Sequence, residues 1–133
     1  MTDPIVEAAI ASYFQTITSR DKGAWIALFA TSAVVHEPAG TIPGEGREGL
    51  EQVWQVFTGP FSRFEIRSDE VFYAASGAAT RWTATAAIAG GRSTRFHGIT
   101  VFELDSDGRI QTVMSYWDPA AVLIHLAGGD DEA

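Results

Sequence analysis

The apolar positions Ile5, Val6, Ala9, Ile10, Tyr13, Phe14 and Ile17 recur with helical spacing near the start of the chain. They predict a broad-striped amphipathic helix. Asp3 stands at its N-cap position and Pro4 in its first turn. The polar cluster Thr18-Ser19-Arg20-Asp21 interrupts the stripe, and Asp21 can cap a second, short helix carrying Ala24, Trp25, Leu28 and Phe29. Thr31-Ser32 breaks that helix, and a strand over 34–37 follows. The segment 38–46 holds two Pro and three Gly and reads as a loop. Leu50, Val53, Trp54 and Phe57 then share one face of a third helix, which Gly59-Pro60 ends.

Beyond residue 60 the helical period gives way to β-branched and aromatic runs over 64–75, 78–88, 92–104 and 109–117. Their separators are Ser76-Gly77, Gly90-Gly91 and Asp105-Ser106-Asp107-Gly108. Connections this short make antiparallel neighbours. Asp118-Pro119 supplies an N-cap and first-turn proline for a closing helix over 120–126, ended by Gly128-Gly129. Helices first and strands afterwards predict an α+β domain, its helices gathered on one face of the sheet. A curved sheet closing over them leaves a cavity between the layers, where small ligands bind.

Composition narrows the function classes. A chain of 133 residues that is 46% hydrophobic fits one domain, 1–133, with one core. The acidic end at 128–133 is expected to be frayed. No apolar run approaches the about 20 residues of a membrane helix, so no membrane partner is expected. The N-terminus lacks the pattern of a signal peptide, and there is no Cys, so a cytoplasmic location is the default. A net charge of −8 without a basic stripe disfavours nucleic acid.

The chemistry centres on Val34-Val35-His36-Glu37-Pro38-Ala39-Gly40. Val35 and Glu37 share a strand face, and Val35 is expected to point inward. Glu37 is then an acid at the edge of an apolar interior, which costs free energy unless it is paired, protonated or used. The plainer reading is a solvated glutamate at a strand end. His36 and His97 fall on opposite faces to this pocket, and no metal-ligand spacing is present, so no metal is expected. Asp118 is explained by capping, and Asp105, Asp107 and Gly108 by a hairpin turn.

Tyr13, Ala27-Leu28-Phe29-Ala30 and Glu37-Pro38-Ala39-Gly40, in this order and spacing, resemble the ketosteroid isomerase branch of the nuclear transport factor 2-like superfamily, which includes the SnoaL-like proteins. Gly108-Arg109-Ile110 matches the turn into that family's last strand. The resemblance implies a cone of curved, mostly antiparallel sheet packed on three N-terminal helices around an apolar pocket. It places Tyr13 as oxyanion donor and Glu37, in place of the family's Asp, as general base. Thr100 stands where the isomerases carry a protonated carboxylic acid, a poorer donor for that role. Trp54 and Trp117 fall on pocket positions. Phe57, and Phe102 and Leu104 on the strand face of Thr100, complete the expected wall. The implied activity needs no cofactor: an isomerase or polyketide cyclase acting on a small apolar carbonyl compound, with Glu37 as proton shuttle. Burial is expected to raise the Glu37 pKa. A second reading is a binding or dimerisation domain that keeps the fold without the chemistry. A homodimer is expected through the outer sheet face, where His97, Ile99 and Val101 point away from the pocket.

Overall fold

The structure, a computed structural model, describes residues 3–128. The acidic tail and Gly129 therefore lie outside the described residues. Three helices open the chain: α1 (Pro4–Thr18), α2 (Lys22–Ile26) and α3 (Gly46–Thr58). The strands are β1 (Phe29–His36), β2 (Gly44–Glu45), β3 (Arg63–Ala74), β4 (Gly77–Ala87), β5 (Ser93–Leu104) and β6 (Ile110–Tyr116), and α4 (Pro119–Leu126) closes the fold. They form one six-stranded sheet in the order β2-β1-β6-β5-β4-β3. All neighbours are antiparallel except β1 and β6, which run parallel.

The expected caps form. Asp3 accepts from the Ile5 amide, Asp21 from Ala24 and Asp118 from Ala121. α1 buries Val6, Ala9, Ile10, Tyr13, Phe14 and Ile17, and α3 buries Leu50, Val53, Trp54 and Phe57. These meet the inner faces of β4, β5 and β6 in one core that includes Trp82, Ala84, Phe102, Ile110 and Val113.

Two elements differ from the pattern-based expectation. The second helix stops at Ile26, because Leu28 O accepts from the Ile110 amide at 2.9 Å and Phe29 pairs with Ile110, so the sheet claims both residues. Thr31-Ser32 is then not a helix break. It lies within the register irregularity between Phe29 and Val34 of a longer β1. The segment 38–46 also contains a strand, β2, which pairs Gly44 with Val35 and Glu45 with Val34. Gly44 is required there: a Cβ would come 2.6 Å from Gly49 O and 2.8 Å from Val53 Cγ2 of α3.

The inner face of β5 carries Thr100, Phe102 and Leu104, all buried. Its outer face leaves Ile99 45% and Val101 37% exposed, and Tyr116 on β6 is 52% exposed.

Candidate functional site around Glu37

Glu37 follows the last residue of β1. The Ala39 amide donates to Ser115 O at 2.7 Å and ties this segment to β6. Because the two strands run parallel with His36 opposite Met114, the next residues, Glu37 and Ser115, turn to the same inner face. Thr100 sits directly across from Ser115 in the β5–β6 ladder, and Thr80 directly across from Thr100 in β4–β5. A row of hydroxyls therefore crosses an otherwise apolar sheet face and ends at the carboxylate.

Three donors reach Glu37. Ser115 Oγ donates to Oε1 at 2.8 Å, Tyr13 Oη to Oε1 at 3.4 Å, and Trp117 Nε1 to Oε2 at 2.6 Å. The side chain is nevertheless only 6% exposed. Burial outweighs the bonds from Trp117, Ser115 and Tyr13, which favour the ionised form, and leaves its pKa raised from the usual 4.5 to about 7. The Tyr13 hydroxyl is pushed well above its ordinary range, by burial first and by the neighbouring carboxylate second.

Two clefts meet at Glu37. The inner one lies between Tyr13, Phe57, Trp82, Thr100 and Trp117, and is too narrow for a water-sized sphere. The outer one has a volume of about 300 Å³ and opens to solvent. Its walls are Pro38, Ile42, Val53, Val56 and Pro119, with Thr41 and Gln52 as polar members.

Tyr13, Glu37, Phe57, Thr100 and Trp117 thus come together. Trp54, Phe102 and Leu104 line neither cleft. Trp54 packs its ring 5.3 Å from that of Trp25, and Phe102 stands edge-on to Tyr13 at 4.8 Å. The reason is the direction of β5. From Thr100 opposite Ser115 it runs through Phe102 opposite Val113 to Leu104 opposite Ile110, away from Glu37 and into the core. The other way along the strand, Phe96 stacks at 5.3 Å on Trp117, which borders the inner cleft.

Sequence reasoning missed Ser115, Trp82 and the outer cleft. Ser115 had a signal, since it lies at strand period between Val113 and Trp117 on their face. Trp82 had one too: its partner is Gly98, where a Cβ would overlap the indole, so the ring lies across the glycine. The outer cleft needs β2, which no periodicity marks.

The remaining polar candidates have structural partners. His97 Nδ1 lies 3.1 Å from Thr83 Oγ1 on the exposed side of the sheet. Asp105 accepts from the amides of Asp107 and Arg109 within its turn. Among the described residues no three His, Asp or Glu side chains converge, and no helix is long and apolar enough to cross a membrane.

N-terminal helices packed on a mixed, mostly antiparallel six-stranded sheet give this chain the nuclear transport factor 2-like fold. The comparisons agree at the level of fold: a nuclear transport factor 2-like protein of unknown function from Burkholderia pseudomallei superposes with a TM-score of 0.81 at 16% identity, over 93% of this chain and 98% of that one. A Mycobacterium tuberculosis protein, crystallised in complex with estradiol-17beta-hemisuccinate, does so with a TM-score of 0.77 at 18% identity, over 87% and 95%. The chain belongs to the SnoaL-like domain family, whose model matches residues 10–113. It is also 27% identical over 119 residues to the steroid Delta-isomerase of Nocardioides simplex, covering 90% of this chain and 94% of that enzyme.

Proposed function

We propose that this protein is an acid–base enzyme that moves a proton on a small apolar carbonyl compound and requires no cofactor. The observation that carries the reading is a buried glutamate with a pKa of about 7 at the floor of an open, largely apolar cleft. A carboxyl group so poised is both an adequate base and an adequate acid near neutrality. Ionised Glu37 takes a proton from the carbon next to the carbonyl. The C–H electron pair becomes the enolate; its oxygen enters the inner cleft, which opens to admit it, and the Tyr13 hydroxyl there turns from Glu37 to donate to it. Protonated Glu37 then returns the proton at another carbon, which gives an isomer of the substrate, or the enolate carbon attacks a second carbonyl, whose π pair becomes an alkoxide that takes the proton back from Glu37 as the ring closes. Trp117, Phe57 and the outer wall keep water from the enolate.

The 27% identity to a steroid Delta-isomerase supports a fused-ring ketone as the first substrate to test. The test is conversion of a Δ5-3-ketosteroid to the conjugated enone, followed by absorbance. Wild-type protein should turn it over weakly, and Glu37→Gln should lose at least a thousandfold. Equal rates for the two proteins would reject the reading.

A second reading, a binding domain of the same fold without chemistry, has one observation in its favour: the inner cleft is closed to a water-sized sphere. Ligand binding by Glu37→Gln at wild-type affinity, with no turnover by either protein of any ketone tested, would favour it.

We also propose a homodimer through the outer sheet face, supported by the exposure of Ile99, Val101 and Tyr116. Sedimentation equilibrium at micromolar concentration should give twice the chain mass. A monomer would reject it.

A further inference from the structure

We infer that Trp82, Thr100 and Ser115 form a one-way hydrogen-bond chain that orients Glu37, and that Thr100 is a positioning residue rather than a donor to substrate oxygen. The inference deepens the proton-transfer reading and rests on it for its catalytic meaning, although the chain itself stands on geometry.

The direction of the chain follows from the proton inventory. The indole N–H of Trp82 can only donate, and it points at Thr100 Oγ1 from 2.9 Å. An ionised carboxylate can only accept, and Ser115 Oγ lies 2.8 Å from Glu37 Oε1. Ser115 has one hydroxyl proton, which goes to Glu37. The 2.8 Å contact between Thr100 and Ser115 hydroxyls must then use the proton of Thr100. With Glu37 ionised each link has one possible sense, so the chain runs from Trp82 through Thr100 and Ser115 to Glu37.

Two consequences follow. The proton of Thr100 is spent on Ser115, so none is left for an enolate oxygen, even though Thr100 borders the inner cleft. The chain also favours ionised Glu37. A proton on Oε1 directed at Ser115 would force the Ser115 hydroxyl back toward Thr100, whose oxygen would accept from both Ser115 and Trp82 while its own proton lost its acceptor in the chain. The sense of the chain thus opposes the effect of burial and keeps Glu37 a usable base. Few other groups can set this balance. Tyr13 from α1 is the titratable side chain facing Glu37. β6 brings the hydroxyl of Ser115 and the chain continues to the indole Nε1 of Trp117, both donors without charge. α3 brings Gln52, Val53 and Val56 to the outer cleft, and α4 brings Pro119, none of them charged.

The test is direct titration of Glu37 by carboxyl-carbon NMR of protein labelled at glutamate, with the resonance assigned by its loss in Glu37→Gln. Ser115→Ala should raise the midpoint by about one pH unit, the size expected for one lost bond to a charged group. Thr100→Val should raise it by a smaller amount, because Ser115 loses its preferred orientation. Thr100→Ser keeps the hydroxyl and should titrate like wild type, which separates the chain from mere packing. On an accepted ketone, the acidic limb of the kcat/KM profile should move upward with each midpoint. A Glu37 midpoint unchanged in both Ser115→Ala and Thr100→Val would overturn the inference. So would a rise in Ser115→Ala alone, since the chain would then end at Ser115. These readings need no turnover, so an inactive protein would reject the enzyme reading and leave this test intact.

Discussion

The indole nitrogen of Trp117 lies 2.6 Å from Glu37 Oε2, closer than either hydroxyl that reaches Oε1. Trp117 is only half-buried and its ring stacks on Phe96, so a residue bordering the inner cleft also tunes the Glu37 carboxyl. Trp117→Phe keeps the stack and removes the N–H. It should raise the Glu37 pKa by about one unit, the usual worth of a charge-assisted bond. Carboxyl-carbon NMR would show this. A midpoint that stays at wild type would mean that water replaces the indole fully.

Glu37 should also leave its mark on stability. Its pKa is raised on folding from the usual 4.5 to about 7. The unfolded chain therefore releases this proton first, and stability is lost as pH rises from 4.5 toward 7. A shift of this size corresponds to roughly 3 kcal/mol between the two ends of that window. Glu51, Glu65 and Asp69 are shifted the other way, so their contributions fade only as pH falls below their ordinary range. Urea midpoints measured from pH 4.5 to pH 8 should decline for wild type and flatten in Glu37→Gln. Parallel curves for the two proteins would contradict the burial argument.

Gly98 makes room for the Trp82 indole. Gly98→Ala would drive a methyl group into that ring. The overpacking should cost about 1–3 kcal/mol and displace Trp82 from Thr100. Urea unfolding would read the first effect, and the Glu37 titration the second. An alanine variant as stable as wild type would show that the strand pair yields at little cost.

Of the two clefts at Glu37, the outer one has room for a ligand. Val56→Trp should fill much of its 300 Å³ and weaken binding of a steroid-like ketone at least tenfold, with a small effect on unfolding. Isothermal titration calorimetry on both proteins would decide it. Unchanged affinity would place the ligand between α1 and the sheet, which requires the inner cleft to open.

How much of this was legible in the residues differs by element. The stripe from Ile5 to Ile17 and the period-two runs after residue 60 are long, and long patterns average out local exceptions. Glu37 was legible because Val35 fixed its face. Phe29 was not: its spacing from Trp25 suits a helix, but pairing with Ile110 decides its state, and that partner lies far along the chain. Two-residue β2 is too short to carry a period. Phe102 and Leu104 were assigned to the right face and the wrong end of it, because alternation gives the side of a strand without saying where along it the site lies. Ser115 stood beside Trp117 in the same pattern. Its importance depends on the parallel pairing of β1 with β6, and the short connections pointed only to antiparallel neighbours.

That parallel pairing has a consequence for how the protein is made. The two shortest bonds to Glu37 come from residues 78 and 80 positions further along. A chain that has emerged only as far as β5 already holds Glu37, Tyr13 and helices α1 to α3, but its glutamate lacks both of these donors. β6, the strand that joins β1 to β5, supplies Ser115, and the residue directly after it supplies Trp117. The surroundings that draw the Glu37 carboxyl back toward its ionised form are thus completed only by the final quarter of the chain.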